Sequence, residues 1–308
     1  LGAAAGETHA VGLDALISTG RNLTSQAQDR LLQAPGAERR VWGQVSGARW
    51  DVDGDAYAEG YEADGLTLLV GVDRQVGSGL TLGVAAAYGE ATTDGGLMGE
   101  AKVFTYRGLA YGGWRQGPTY AHAVAGFGQD QHKIQRRVAL GDGIESLNAK
   151  AGGQSLFADV EAGRDMDVGG VAVTLAAGLS AERAERDAVS ERGGQTALAF
   201  DEATREAVEA RLGVRLTQTT ALGAWRVTPQ ASAFLTQALG EESARLDARL
   251  DGASFETRAA AAGRTGLRLS AGLEARLQDR TRISLDYRLN HNDKAQSHAL
   301  AATVSITW

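Results

Sequence analysis

The chain has 308 residues, 43% hydrophobic and 22% charged, enough for one large all-β domain or two ordinary ones. A formal net charge of -7 argues against a nucleic-acid partner, and the absence of cysteine removes disulfides, zinc–thiolate sites and thiol nucleophiles. Forty-one glycines beside 3 prolines exclude collagen and a disordered linker; no apolar run reaches the ~18 residues of a transmembrane helix; and the opening LGAAAGETHA lacks the basic start and apolar core of a signal peptide, so an exported form would be a fragment of a longer precursor.

Residues 13–33, LDALISTGRNLTSQAQDRLLQ, come first. Leu13, Leu16, Ile17, Leu23, Ala27 and Leu31 recur at helical spacing, among the polar Arg21, Asn22, Gln26, Gln28, Asp29 and Arg30. The spacing predicts a helix over about 10–33, weakened slightly at Gly20 and ended by APG at 34–36. Roughly 25 residues of helix span ~38 Å.

From residue 41 onward, period-two alternation takes over. Twelve strands are predicted: 41–52, 65–76, 80–92, 101–116, 119–132, 153–166, 171–184, 204–217, 221–238, 263–278, 281–290 and 297–308. In GLRLSAGLEARL (266–277), Leu267, Leu269, Ala271, Leu273, Ala275 and Leu277 share one face, and Arg268, Ser270, Gly272, Glu274 and Arg276 the other. Stretches 281–290 and 208–216 repeat the pattern. Tight turns fall at 77–79, 117–118, 167–170 and 279–280, with a slightly longer one near 218–220. They alternate with long loops at 53–64, 93–100, 133–152, 185–203 and 239–262; the last loop, 291–296, is short.

A soluble sandwich would hide these leucines and expose the arginines; a membrane barrel does the reverse. Four observations favour the barrel. Strands of ten or more residues in even number match tilted membrane-spanning strands of about 9–11 residues, whereas sandwich strands run to about five or six. Short turns alternate with long loops. Trp42, Trp114, Trp225 and Trp308 all fall on the short-turn rim, and Trp50, Tyr88, Phe104 and Tyr106 toward the opposite rim, as two interfacial girdles would. The apolar faces of the strands at 204–217, 263–278, 281–290 and 297–308 carry no charge, and one Arg there would cost ~2–4 kcal/mol at mid-membrane. The predicted fold class is therefore all-β: a 12-stranded antiparallel transmembrane β-barrel with an N-terminal α-helix in the lumen. The chain divides into a linker and pore helix (1–36) and a barrel (37–308). Its final strand must pair with the first to abolish both edges.

Glu209, Arg211, Arg215, Arg226, Arg268, Glu274, Arg276, Arg282, Asp286 and Arg288 are expected to line the pore, with Asp159, Glu161 and Asp165. Such a lining is expected to stay hydrated and not collapse into a dry core. Gly83, Gly126, Gly163, Gly178, Gly213 and Gly272 should leave space along the axis of a barrel already wider than an eight-stranded one. The helix would fill that space through Leu16, Arg21, Asn22, Gln26, Asp29 and Arg30, with Arg21, Asp29 and Arg30 paired to lumen charges. These charges are read as structural, not catalytic.

The order of these features resembles the translocator domain of monomeric autotransporters, the type V secretion class. VWGQVSG (41–47) resembles the first strand of that domain; GVAAAYGEA (83–91) and YRGLAYGGWRQGPTYAHAVAGFGQ (106–129) resemble its third to fifth strands. HALAATVSITW (298–308) looks like its terminal signal, which commonly has a glycine where this chain has alanines. The resemblance implies insertion into outer-membrane lipid with the long loops extracellular. It implies a monomer that exports an N-terminal passenger and keeps the helix as the last segment in the pore. Leu300, Val304, Ile306 and Trp308 would be read by the β-barrel assembly machinery. KIQRRVALG (133–141), ahead of a Gly-rich stretch, resembles barrels carrying GDSL-type esterase or subtilisin-like passengers. Some members cut their own helix at an Asn-Asn junction; here Asn22 precedes Leu23, so self-cleavage is not carried over.

An outer-membrane enzyme of phospholipase or protease type and a passive diffusion pore are the rival functions. The histidines are His9, His122, His132, His291 and His298. His291-Asn292-Asp293 is the set most like an acid–base site, but no GxSxG motif accompanies it, and Asn and Asp favour turns. A porin needs no leading helix. No cofactor and no metal site is expected.

Overall fold

A computed structural model describes residues 6–32, 39–94, 99–140, 143–278 and 280–307. Helix α1 (Glu7–Leu32) precedes strands β1 (Arg40–Val52), β2 (Tyr61–Val76), β3 (Leu80–Asp94), β4 (Glu100–Gln116), β5 (Thr119–Leu140), β6 (Gly143–Val168), β7 (Val171–Arg186), β8 (Val189–Ser190), β9 (Ala199–Phe200), β10 (Ala203–Thr217), β11 (Thr220–Leu222), β12 (Trp225–Ala238), β13 (Arg245–Leu250), β14 (Ala253–Arg258), β15 (Thr265–Leu277), β16 (Thr281–Asn292) and β17 (Ala295–Thr307).

Twelve long strands close into one antiparallel barrel in the order β1 to β7, β10, β12, β15, β16, β17 and back to β1. The seam pairs Val41 with Ile306 and continues to Val52 with Ala295. No edge strand remains in that barrel to be covered. Alternation sends Leu68, Val70, Leu212, Leu285, Leu300, Val304 and Ile306 outward, where they stand exposed in an apolar belt. Buried charges point the other way, into the lumen. A soluble fold has the reverse arrangement, and an exposed belt of this extent demands lipid around it. Trp308 lies outside the described residues, as does the APG stretch.

Between β7 and β10, and between β12 and β15, the chain folds into a second, four-stranded sheet in the order β14, β13, β9, β8. It roofs the long-loop end of the barrel. Apolar residues of α1 then bury in two clusters inside the lumen. Ala10, Val11, Leu13, Leu16 and Ile17 pack with Leu198, Phe200, Leu246, Tyr61 and Val103. Leu23, Ala27 and Leu31 pack with Trp42, Leu69, Leu109, Tyr111, Val124 and Phe157.

Five expectations need correction. The lumen does contain dry packing, because the helix supplies apolar faces that the strand pattern alone does not show. The glycines do not leave open space: Tyr111 lies against Gly83, Phe157 against Gly126, Tyr120 against Gly163, Phe234 against Gly213 and Arg211 against Gly178, so that an added Cβ would strike the neighbouring side chain. Gly272 is likewise closed off by Asp286 and Gln230. Residues 133–140 and 143–152 are strand, not loop; β5 and β6 pair with each other as far as Leu140 and Gly143, beyond the membrane. There the inward face carries Ile134, Val138, Leu147 and Ala149, but Arg136 interrupts it and Leu140 and Ile144 stand exposed, so the alternation is broken. Trp42 leaves the proposed girdle: it is 2% exposed, faces the lumen and donates from Nε1 to Tyr111 Oη at 2.7 Å. Trp50 also turns inward and packs on the upper cluster. Trp114 and Tyr106 do face outward, 43% and 58% exposed. The predicted strand at 221–238 is interrupted, with β11 and β12 forming a small hairpin at the short-turn rim.

Candidate functional site in the barrel lumen

The lumen site is α1 together with the wall that holds it. The direction of the helix follows from its connection. Its C-terminal end feeds β1 at the short-turn rim, so its N-terminal end lies at the long-loop mouth.

At that upper end the partners come largely from loops. Glu7 Oε2 accepts the Glu59 backbone N–H at 3.0 Å. His9 sits between Glu191 Oε1, 3.0 Å from Nε2, and Arg186 Nη1, 3.0 Å from Nδ1. A carboxylate only accepts and a guanidinium only donates, so the His9 proton is on Nε2. Phe200 stacks on the imidazole with centroids 3.9 Å apart. Arg136 Nη2 donates to Glu191 Oε2 at 2.5 Å, and the Leu198 N–H to the same oxygen at 2.9 Å. Burial would raise the Glu191 carboxyl, but its bonds from Arg136 and His9 override that and hold it down at about 2. Asp14 accepts from Arg205 Nε at 2.8 Å and from the Ala244 N–H at 3.1 Å.

Lower down, the partners are strand residues. Arg107 Nη2 donates to the Leu16 carbonyl at 3.2 Å. Arg21 lies 3.7 Å from Glu209, which also takes Arg268 at 2.7 Å. Gln26 donates to Ser46 Oγ at 2.7 Å. Gln28 bonds Asp159 through its amide N–H and accepts from Arg211 Nη2 at 2.9 Å. Arg211 in turn spans Asp159 and Glu161, at 2.8 and 3.2 Å, and Arg215 adds 2.8 Å to Glu161. Arg288 reaches Asp29 at 2.6 Å and Asn22 at 3.4 Å. Arg30 and Arg40 converge on Asp73, at 3.0 and 2.5 Å, and Tyr111 Oη joins them at 3.1 Å.

The remaining sequence-picked residues also face the lumen. Asp286 accepts from Gln230 at 2.5 Å and Ser284 at 3.0 Å. Glu274 lies 3.2 Å from Arg282. Arg226, Arg276 and Arg282 stand in register on neighbouring strands near the short-turn rim. Leu300, Val304 and Ile306 point outward on β17. Sequence reasoning missed Asp73, Arg107, Arg136, Glu191 and Arg205. Asp73 and Arg107 occupy lumen-facing strand positions and could have been found by extending the alternation through β2 and β4. Arg136 breaks the inward apolar run of Ile134 and Val138, and Glu191 follows a strand of only two residues, so neither is marked by alternation. His291 and Asn292 fall on opposite faces of β16: His291 is exposed outside, and Asn292 lines the lumen.

The helix rests against β2 to β7. On the other side a cavity of about 130 Å³ opens among Asp14, Arg21, Asn22, Arg268, Arg288 and Asn290. A smaller one of about 50 Å³ continues past Gln26 and Asp29.

A closed twelve-stranded barrel with a lipid-facing belt and a helix threaded through an ionic lumen defines an outer-membrane translocator. The comparisons agree. The autotransporter β-domain model matches residues 41–288. Two extracellular serine proteases of Serratia marcescens are 25% and 24% identical over 98% of this chain. The chain spans 30% of the length of each. Among solved structures, the translocator domain of the autotransporter NalP from Neisseria meningitidis superposes with a TM-score of 0.80 at 16% identity, covering 98% of this chain and 99% of that one. The β domain of the Bordetella autotransporter BrkA gives 0.64 at 18%, covering 88% and 100%. The transport unit of AIDA-I from Escherichia coli gives 0.63 at 13%, covering 90% and 92%. The chain belongs to the autotransporter β-domain family.

Proposed function

We propose that this barrel carries a passenger, joined ahead of α1, to the cell surface, and that α1 is the segment left in the pore after export. The observation that carries this reading is the direction of α1: its buried N-terminal end lies at the long-loop mouth, so a chain preceding it leaves on the outer side. The division into a linker and pore helix (1–36) and a barrel (37–308) follows from it. Because the matched relatives are extracellular serine proteases, the passenger is proposed to be a protease of that kind. The barrel contributes no bond chemistry of its own. His291 and Asn292 diverge to opposite faces, and Asp14, Asp73, Asp159, Glu161, Glu191 and Glu209 are held in arginine pairs, while both oxygens of the buried Asp130 and Oε1 of the buried Glu182 have no hydrogen-bond partner among the described residues. The proposed molecule acts as a monomer, and the β-barrel assembly machinery inserts it by reading the outward residues Leu300, Val304 and Ile306 together with Trp308.

The test is single-channel conductance of the refolded chain with and without residues 1–36. Low conductance that rises severalfold on deletion is the expected result. Equal, large conductance in both forms would sink the reading and favour an open pore.

A further inference from the structure

Only four lysines occur in the chain, against many arginines, and three of the four stand in one row. Lys102 on β4 is directly opposite Lys133 on β5, and Lys133 is directly opposite Lys150 on β6. All three face outward. Like charges placed opposite one another across strands destabilise a sheet, so the row is not explained by the needs of the barrel. Lys102 has one carboxylate partner, Glu100, at 3.1 Å. Lys133 lies over the Phe104 ring, 4.5 Å from its centroid. Among the described residues, neither Lys133 nor Lys150 has a carboxylate within ion-pair distance. The other charges nearby on this outer surface include Glu90 and Asp94 on β3, Arg137, one alternate step beyond Gln135 on β5, Arg192, bridged to Asn148, and Asp187, whose carboxylate lies against Gly152.

The height of the row matters as much as its charge. Toward the short-turn rim the same outward faces carry Phe104 and Tyr106 on β4, Phe127 on β5 and Leu156 on β6. Lys102 is the next outward residue after Phe104, about 7 Å farther along the strand. The row follows directly on the topmost aromatic of β4, while on β5 Gln129 and Gln131, and on β6 Gln154 and Gly152, lie between the apolar belt and the lysine. Above it, β5 and β6 continue as a paired wall to Leu140 and Gly143. Neighbouring strands are about 4.8 Å apart, so three flexible ammonium groups can converge on one multiply charged oxyanion. Lysine binds such a group as a point charge and needs no fixed bidentate geometry. Its alkyl stem can lie along the apolar boundary beneath.

We propose that Lys102, Lys133 and Lys150 form a site on the outer face of the barrel for the phosphate of a glycolipid headgroup in the cell-surface leaflet. The site anchors the β4–β6 wall at a fixed depth. It rests on the outer-membrane placement of the barrel, not on passenger export, so the conductance test above can fail without touching it.

The experiment uses the full chain refolded in neutral detergent and titrated with three probes: a bis-phosphorylated disaccharide glycolipid, the same glycolipid without phosphate, and inorganic phosphate. Folding is verified by heat-modifiable migration. The phosphorylated lipid should bind about a hundredfold more tightly than the phosphate-free one. The triple variant K102Q/K133Q/K150Q should lose about a hundredfold of that affinity and bind the phosphate-free lipid unchanged. K294Q, which removes the fourth lysine, should bind like the parent chain. If the triple variant folds poorly, K133Q should lose affinity and K133R should keep it. Undiminished binding by the triple variant would overturn the proposal. So would an equal loss in K294Q, or displacement of the lipid by inorganic phosphate at equal concentration, which would mark a free-anion site.

Discussion

The two ends of α1 are held by different kinds of structure. Residues 22–31 are gripped by strands: Ser46, Asp73, Asp159, Arg211 and Arg288 project from the barrel wall itself. Residues 7–17 are gripped mainly by segments that must first fold inward: the Glu59 and Ala244 backbone, Glu191, Leu198, Phe200 and Leu246. The lower grip exists whenever the barrel is closed. The upper grip exists only once the loops carrying β8, β9, β13 and β14 have settled over the helix. A cap built this way is expected to open as a unit at lower free energy than the barrel. The helix is thus fixed at its base and latched at its mouth.

The largest effect tests the base. Asp73 is fully buried and carries Arg30, Arg40 and the Tyr111 hydroxyl. Asp73→Ala leaves two buried guanidinium groups without their shared carboxylate. That should cost ~3–5 kcal/mol, read as a lower urea midpoint for the refolded barrel. A change below ~1 kcal/mol would mean the base is held by packing alone. The next effect tests the latch. Leu16→Ala removes a fully buried side chain from the upper cluster, at a cost of ~2–5 kcal/mol. Because that cluster belongs to the cap, protease cleavage within 187–202 and 239–262 should rise while the barrel's urea midpoint moves little. Parallel loss of both would show that the cap and barrel unfold together.

The contrast between base and latch also explains what could be read from the sequence. The barrel was legible because twelve strands in lipid must be apolar on one face, and that demand leaves a period of two. The helix was legible because its apolar residues recur at 3.6. Arg211, Arg215, Arg268 and Arg288 were legible as inward residues by the same alternation. The cap was not. Its strands are two to six residues long, and both the β5–β6 extension and its partner Glu191 lie above the lipid, where no rule forces the outward face to be apolar. Trp42 misled for a related reason. Tryptophan suits an interface, but it also suits a lumen that offers Tyr111 as a hydrogen-bond acceptor and Gly71 as a flat seat.

Acidification should separate the two ends in a single molecule. Glu191 falls from an ordinary value near 4.5 to about 2, burial being outweighed by Arg136 and His9. A depressed carboxyl contributes stability that is complete above about 4.5 and is lost as pH falls through the folded value near 2. The groups facing it are His9, Arg136 and the Leu198 N–H, with Arg186 behind His9. Between pH 4.5 and 2, protease cleavage of the cap is therefore expected to increase progressively. Glu191→Gln should start more open and lose the Glu191 part of that dependence, keeping the part set by His9, whose imidazole burial pushes down to about 4. A cap equally protected at both pH values would show that the apolar cluster, not the carboxylate, closes the latch.

The smallest effect is expected from an ion pair with the best geometry on the wrong side of the wall. Arg183 sits on β7, 2.6 Å from Glu185 and 3.0 Å from Glu206. Arg211, on the next strand, makes similar distances to Asp159 and Glu161. The two differ in where they face. Arg183 and its partners are exposed on the outer surface, where water and salt screen the attraction and the long side chains lose entropy on pairing. Arg211 and its partners are buried, so deleting one leaves uncompensated charge. Arg183→Ala should leave the urea midpoint where it was, and Arg211→Ala should lower it clearly. If the two substitutions cost the same, burial would not be what gives the lumen pairs their strength, and the ionic grip on the helix would reduce to ordinary surface pairing.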